Sequence, residues 1–404
     1  MKKKILSLVL VSVMLMSALP GTVFAEDMEQ ETVDVEVFSD DADVEEVEMS
    51  EENQEEDLAD AENQDKEAGE PQDIDQGITD YGADLFSDGE GDVVDTGDTF
   101  SSITGSGKTN ENITWTFNNG ELIIDGTGDM PDYSEDYPAP WSDYQEQIER
   151  IVIKGITSIN DGVFWGYSSL KNVEISDSVT SIGSVAFEGC SSLESINIPK
   201  GIKEIDQGTF EECSSLTNID IPDGVVAIRD RAFYNCSSLT SITIPDSVTF
   251  IGKSAFYECN SATSIKISNS VTEIPYEAFY NCISVTSITV PDGVTSVGDY
   301  AFVECNNAVN ITIPDSVTSI GICAFSGCES ITSIKIPDSV NEIRDCAFSG
   351  GSSLTSIEIP EGLMAIDACA FMGCRNMTDI TLPDSLIFIG YSAFEGWSSL
   401  TSID

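Results

Sequence analysis

The sequence predicts a β-dominated solenoid in which short parallel strands stack along one axis. An Ile-x-Ile alternation followed by Pro recurs in successive units, as in residues 242–245, and such alternation is typical of a half-buried strand. A phenylalanine also recurs every 23 residues without insertion or deletion, a fixed period that indicates units packed only on their neighbours. These phenylalanines are Phe164, Phe187, Phe210, Phe233, Phe256, Phe279, Phe302, Phe325, Phe348, Phe371 and Phe394.

The first 25 residues predict export. A charged start at Lys2 to Lys4, an apolar run from Ile5 to Leu19 and small residues up to Ala25 are typical of a secretory signal peptide, residues 1–25. The apolar run is too short to span a bilayer comfortably, and no other stretch comes close. We therefore expect a secreted or cell-surface protein with no transmembrane segment in the mature chain.

Residues 26–98 predict an acidic disordered spacer. They carry 31 Asp and Glu against a single basic residue, Lys66. A segment this charged and this poor in apolar side chains cannot bury enough surface to offset chain entropy. The formal net charge of the whole chain is −55. Because such a chain has little with which to neutralise phosphates, nucleic acid is excluded as a partner.

Residues 99–155 predict a β-rich N-terminal cap. Two apolar runs, 113–117 and 122–124, flank an Asn119-Gly120 pair that is typical of a tight hairpin turn. Trp141 precedes the first repeat phenylalanine by 23 residues and is predicted to fill the phenylalanine position of an incomplete first unit. The cap would shield the first coil of the solenoid from water.

The repeats are predicted to fill residues 156–404. In the unit 233–255 the inward side chains follow an L-x-x-I-x-I stretch, and Pro245 and Gly252 let the chain turn back. The pattern L-x-x-I-x-I-P…I-G-x-x-A-F-x-x-C of residues 239–259 resembles the BspA-like, or Treponema-type, leucine-rich repeats of bacterial surface proteins. The last repeat stops inside this pattern at Asp404, so we expect either that the sequence is a fragment or that this end pairs with a partner.

The resemblance implies a leucine-rich-repeat solenoid with stacked parallel strands on the concave face. Short turns or helical turns would form the convex side. It further implies an exported adhesion or host-interaction protein.

Most cysteines follow the same period. In-register stacking places neighbouring Cβ atoms ~4.8 Å apart, beyond the ~3.5–4.5 Å that a disulfide prefers. We therefore predict a ladder of buried, reduced thiols that act as small hydrophobic side chains. These inner thiols lie three residues after a repeat phenylalanine: Cys190, Cys213, Cys236, Cys259, Cys282, Cys305, Cys328 and Cys374.

Three further cysteines, the outer thiols, lie two residues before consecutive phenylalanines: Cys323, Cys346 and Cys369. Other repeats carry polar or charged residues at this position, such as Arg231 and Glu277, so we expect the position to be exposed. Three exposed thiols on adjacent rungs could bind a soft metal, form one disulfide or tether a partner. Recent duplication of one repeat is the alternative.

The sequence argues against an enzyme. It contains no histidine, which removes histidine-activated nucleophiles and histidine metal sites. We expect no cofactor. Carboxylates remain available for glycosidase chemistry, and one group near Trp141 has the composition of a sugar site. It comprises Glu135, Asp136, Asp143 and Tyr144, for which a solvated aromatic loop is the favoured alternative.

The outward strand positions are mostly Ser, Thr and Asn, and they lack the Trp, Tyr and Arg that dominate binding hot spots. A tyrosine stripe, Tyr234, Tyr257 and Tyr280, follows three consecutive phenylalanines and is the candidate binding surface. Partial burial against neighbouring turns is its alternative. The expected function is non-catalytic binding to a protein or glycan on a host or microbial surface. Alternatives are a passive cell-wall spacer and the binding part of a larger exported enzyme.

Overall fold

The N-terminal β segment opens with a hairpin. The structure is a computed structural model that describes residues 103–133 and 137–403, so the predicted signal peptide and acidic spacer lie outside the described residues. Asn119 and Gly120 take φ angles of 45° and 87° at the hairpin turn, which confirms the predicted hairpin. The elements are β1 Thr104–Lys108, β2 Ile113–Asn118, β3 Glu121–Asp129, a 3₁₀ helix Ser142–Gln147 and β4 Arg150–Ile159.

The long strand β4 is where antiparallel pairing gives way to the solenoid. β1, β2 and β3 pair antiparallel in sequence, whereas β3 pairs parallel with β4 from Glu121↔Arg150 onward. The first half of β4 then pairs with one strand of the first repeat and its second half with another. β4 is therefore the first strand of two separate ladders, each a row of parallel strands contributed by successive repeats.

The first ladder lies on the predicted Ile-x-Ile stretch. Its strands are parallel, and paired residues differ by 23 in number, as in Ile288↔Ile311. In β14 and β16 the inward isoleucine, Ile288 or Ile311, is buried and its neighbours are exposed. The strands are β5 Asn172–Ile175, β7 Ser195–Ile196, β10 Ile242–Thr243, β12 Ile265–Lys266, β14 Ser287–Thr289, β16 Asn310–Thr312, β18 Ser333–Lys335, β20 Ser356–Glu358, β22 Asp379–Ile380 and β24 Ser402–Ile403.

A second ladder runs through the next apolar position of each repeat, where no strand was predicted. Strands of two residues are too short for alternation to be read from sequence. They are β6 Ser181–Ile182, β8 Glu204–Ile205, β9 Ala227–Ile228, β11 Phe250–Ile251, β13 Glu273–Ile274, β15 Ser296–Val297, β17 Ser319–Ile320, β19 Glu342–Ile343, β21 Ala365–Ile366 and β23 Phe388–Ile389.

The phenylalanines form one continuous stack through the core. Successive rings lie 5.2–6.1 Å apart between centroids and are nearly parallel, with every phenylalanine of the series buried. Trp141 is fully buried and stacks on Phe164 at 6.2 Å, so it does fill the phenylalanine position of an incomplete first unit. Apolar burial along this stack is what holds neighbouring turns together.

The turn around each phenylalanine adds a third set of bonds between repeats without forming a strand. The N–H groups of Arg231, Phe233 and Asn235 donate to carbonyl groups of the next turn at 2.7–2.9 Å. Arg231 and Asn235 flank the phenylalanine with φ angles of 57° and 54°, in the left-handed region. The same two positions have positive φ in the other repeats, from Gly162 and Gly166 to Ser392 and Gly396. Left-handed residues there aim alternate N–H groups along the solenoid axis.

Repetition brings acidic side chains of neighbouring repeats close together, as it does for Asp367 and Glu342. Burial raises the pKa of Asp367 to about 6, with further contributions from a hydrogen bond to Glu342 and the charges of Glu342 and Asp345. Because this pKa is higher in the folded state, stability is gained as pH falls through 6 towards 4. We expect the melting temperature to rise from pH 7 to pH 5, and Asp367→Asn to lose part of that rise in thermal unfolding.

Asp246 provides the matched control for Asp367. Its pKa is lowered, chiefly because the backbone N–H of Asn269 donates to its carboxylate. A lowered pKa contributes stability that is present above the unfolded value, near 4, and disappears only in stronger acid. Asp246→Asn should therefore keep the full rise between pH 7 and pH 5. An equal loss of the rise in both variants would contradict the assignment to Asp367.

Candidate functional site

The face made by the first ladder offers few free groups for binding. Threonine hydroxyls just before its strands donate to backbone carbonyls of the preceding turn, as Thr240 Oγ1 does to Thr217 O at 3.2 Å and Thr263 Oγ1 to Thr240 O at 3.3 Å. These donors therefore serve the fold, and the face presents small polar side chains without an aromatic anchor. A surface of small polar side chains lacks the residue types that contribute most of the binding energy in protein interfaces.

The tyrosine stripe is a self-stacked column. Tyr234, Tyr257 and Tyr280 lie 4.6 Å apart between ring centroids, with interplanar angles of 6°, and each side chain is half-buried. Their faces are covered by one another, so the column presents ring edges and hydroxyl groups to solvent. Burial raises the pKa of all three hydroxyls, and nearby carboxylates such as Glu258 and Glu277 raise it further. The hydroxyls therefore remain protonated donors.

Arg231 closes one end of the stripe. Its guanidinium carbon lies 4.0 Å from the centroid of the Tyr234 ring, and its Nε donates to both carboxylate oxygens of Glu211 at 2.9 and 3.1 Å. Glu211 is only 8% exposed. Burial raises the pKa of the neighbouring Glu188, while Arg231 opposes that rise. The ion pair of Arg231 with Glu211 thus covers the face of the Tyr234 ring at this end of the stripe.

The inner thiols are buried and unbridged, as predicted. Each Sγ donates to the carbonyl oxygen of the phenylalanine 26 residues earlier, at 3.1–3.6 Å. Trp397 replaces cysteine in the last repeat, and its Nε1 donates to Phe371 O in the same way. Burial raises the pKa of these thiols, that of Cys190 to about 12. They serve as packed hydrogen-bond donors and not as a reactive site.

The outer thiols are half-buried rather than fully exposed. Cys323, Cys346 and Cys369 take φ angles of 52–54° and lie at the same position of three consecutive repeats. Within residues 103–133 and 137–403, no group of three or more His, Cys, Asp or Glu has an arrangement suited to a metal ion. The soft-metal interpretation therefore receives no support from the geometry.

An open cleft, the Trp165 cleft, lies where the N-terminal segment meets the first two repeats. Its volume is about 550 Å³. Trp165 is 57% exposed and lines the cleft together with Glu188. The lining consists of Tyr133, Pro138, Ala139, Ser142, Gln145, Gly162, Val163, Trp165, Tyr167, Val185 and Glu188.

The sequence did not single out this cleft. Trp141, around which a sugar site was considered, is fully buried in the aromatic stack and presents no ring face to a ligand. Glu135 and Asp136 of that group lie outside the described residues. Trp165 directly follows Phe164 and so occupies the same repeat position as Tyr234. From this shared position the sequence could have predicted that the Trp165 side chain points outward.

The stacked 23-residue turns, with two parallel ladders and turns in place of helices, define a leucine-rich-repeat solenoid. A family profile described as BspA type Leucine rich repeat region, in six copies, matches residues 143–261, 226–353 and 295–404. The chain therefore belongs to the BspA-type leucine-rich repeat family. No helix within the described residues has the length and hydropathy that a bilayer crossing requires.

Several solved structures are similar. A leucine-rich repeat protein from Bacteroides ovatus is 24% identical, with 72% of this chain and 93% of that chain covered and a TM-score of 0.48. One from Eubacterium ventriosum is 24% identical, covering 74% and 96%, with a TM-score of 0.44. A leucine rich cell surface protein from Faecalibacterium prausnitzii is 26% identical, covering 76% and 95%, with a TM-score of 0.42. A search of curated proteins gives no significant match.

Proposed function

We propose that this protein is an exported, non-catalytic binding protein that attaches to glycans on a host or microbial surface through the Trp165 cleft. The observation that carries the proposal is an exposed indole that lines a concave site together with polar side chains. Ligand sites of this kind combine aromatic lining with a few placed polar groups. The acidic chain favours neutral sugars, since anionic glycans would be repelled.

The cleft is largely pre-formed. Gln145 Nε2 donates to Gly166 O at 3.0 Å, which fixes the amide at the side of the cleft. Ser142, Gln145 and Glu188 place hydroxyl, amide and carboxylate groups around the ring. A rigid site loses little side-chain entropy when a ligand binds, which favours affinity.

Trp165→Ala in the full chain is the test. We expect at least about tenfold weaker binding to neutral glycans on an array, corresponding to roughly 1.4 kcal/mol, because the stacking surface is lost. Tyr391→Ala is the matched control, since Tyr391 is 66% exposed but lies in the last described repeats. Unchanged glycan binding by Trp165→Ala would exclude the cleft as the site.

The tyrosine stripe remains a second candidate surface on the same protein. Its hydroxyl edges and neighbouring carboxylates suit a protein partner with basic groups rather than a sugar ring. Replacing Tyr234, Tyr257 and Tyr280 together with serine, and measuring capture of matrix proteins, separates the two surfaces. If the triple variant stays folded and both kinds of binding persist, the stripe has no binding role. Absence of any ligand for the unaltered chain would favour a passive spacer.

A further inference from the structure

Glu188 is the only charged side chain that lines the Trp165 cleft among the residues that the structure describes. It is half-buried, and no lysine or arginine of residues 103–133 and 137–403 forms an ion pair with it. The face of an indole ring attracts cations, and so does a carboxylate. A carboxylate without a cationic partner beside an exposed indole therefore favours a ligand that carries a positive charge.

The arginine whose charge reaches Glu188, Arg231, is already paired with Glu211. Its Nε donates to both carboxylate oxygens of Glu211 at 2.9 and 3.1 Å. The two carboxylates approach the same glycine, because a Cβ on Gly208 would lie 3.2 Å from Glu211 Oε2 and 3.8 Å from Glu188 Oε2. Burial, and then the charges of Glu211 and Glu212, raise the pKa of Glu188. A cationic ligand would thus neutralise a carboxylate that the fold leaves without a counter-charge.

We infer that the Trp165 cleft prefers glycans with a free, protonated amino group, and that this ammonium group pairs with the Glu188 carboxylate. The inference rests on the proposed function and names the class of sugar that the cleft selects. Ser142 and Gln145 line the same cleft and suit the hydroxyl groups of a sugar ring. Trp165 offers a flat, exposed face to the apolar side of that ring. An N-acetylated sugar would fill the same space without bringing a positive charge to Glu188.

The overall charge of the chain also attracts cations, and a matched control separates that attraction from contact with Glu188. The formal net charge is −55, and attraction at long range is screened by salt. Glu395 follows Phe394 as Glu188 follows Phe187, and it is half-buried as well. It lies in the last described repeats, far along the chain from the cleft. Glu188→Gln and Glu395→Gln therefore remove the same charge from the same repeat position.

Isothermal titration calorimetry on the full chain tests the preference. The probes are a trisaccharide of N-acetylglucosamine and its singly deacetylated forms, measured separately in about 0.3 M sodium chloride to screen long-range attraction. At about pH 6 an ordinary amine is protonated. We expect at least one deacetylated form to bind about fivefold tighter than the acetylated sugar, the effect of one screened ion pair beside an aromatic ring. If no deacetylated form binds tighter, or if none of the sugars binds, the inference is wrong.

The variants locate the preference. In Glu188→Gln it should disappear while the acetylated sugar keeps its affinity, whereas in Glu395→Gln it should stay at about fivefold. Equal preferences in the two variants would assign the effect to overall charge and refute the inference. Trp165→Ala tests the proposed function separately, because it should weaken both kinds of sugar. If it does so while the unaltered chain shows no preference, the cleft is still the glycan site and only its preference for amino groups is overturned.

A short neutral peptide with one lysine presents the same ammonium group on an alkyl chain. It should bind at least about fivefold more weakly than the preferred sugar, because it brings neither a ring for Trp165 nor hydroxyl groups for Ser142 and Gln145. The same titration measures it. Equal or tighter binding of the peptide would assign the cleft to a basic protein segment and overturn the inference.

Discussion

Phe256→Ala is expected to destabilise the solenoid by about 3–5 kcal/mol, the largest effect of any single truncation considered. Phe256 is 1% exposed and stacks on Phe233 at 5.2 Å and on Phe279 at 5.5 Å. Truncation therefore removes packing with both neighbouring turns and leaves a cavity in the middle of the stack. Urea unfolding followed by fluorescence or circular dichroism measures the change.

Phe250→Ala is the matched control for Phe256→Ala. Phe250 lies six residues earlier in the same repeat but points outward, at 40% exposed, with the Arg229 guanidinium carbon 5.4 Å from its ring centroid. Its truncation leaves no internal cavity and should cost less than about 1 kcal/mol, because weakly packed surface substitutions have small effects. Similar losses in the two variants would contradict the assignment of stability to the inner stack.

The 23-residue period predicts the positions of the side chains that are buried in the core. It places the phenylalanine stack, the buried inner thiols and Trp141, because each of these positions faces the same interior in successive turns. Burial restricts residue type, so the pattern remains visible in the sequence. The short strands of the second ladder involve only two residues each and leave no such signature.

The left-handed positions could not be predicted for a different reason. Val185, Arg231 and Cys323 share one backbone conformation although their side chains have little in common. Hydrogen bonds to the next turn impose that conformation, while the side chain points outward and is free to vary. Residue type therefore varies freely at a position that backbone hydrogen bonds define, and no sequence pattern marks it.

The Trp165 cleft depends on contacts between segments that no period relates. Ser142 and Gln145 come from the 3₁₀ helix of the N-terminal segment, whereas Val185 and Glu188 come from the second phenylalanine turn. Sequence can indicate that Trp165 points outward, since it shares its position with Tyr234. It cannot indicate that the helix packs beside it and makes the surface concave.

Arg231→Ala is expected to destabilise the protein by about 2–4 kcal/mol at pH 7. The estimate lies below the cost of breaking a fully buried ion pair because Arg231 is itself partly exposed. The variant loses the bidentate contact with Glu211 and the contact with the Tyr234 ring, and it leaves the Glu211 carboxylate buried beside Glu188. Arginine and alanine both carry a Cβ, so backbone strain at this left-handed position cancels. Chemical denaturation measures the difference.

Arg229→Ala separates burial from charge pairing as the cause. Arg229 also pairs with a glutamate, Glu204, at 2.6 Å, but both side chains are about 40% exposed or more. Because solvent screens such a pair, its loss should cost less than about 1 kcal/mol. Adding Glu211→Gln to Arg231→Ala should restore much of the stability, because the double variant no longer buries an unpaired carboxylate. Equal losses in the two arginine variants would show that the burial of Glu211 is not the cause.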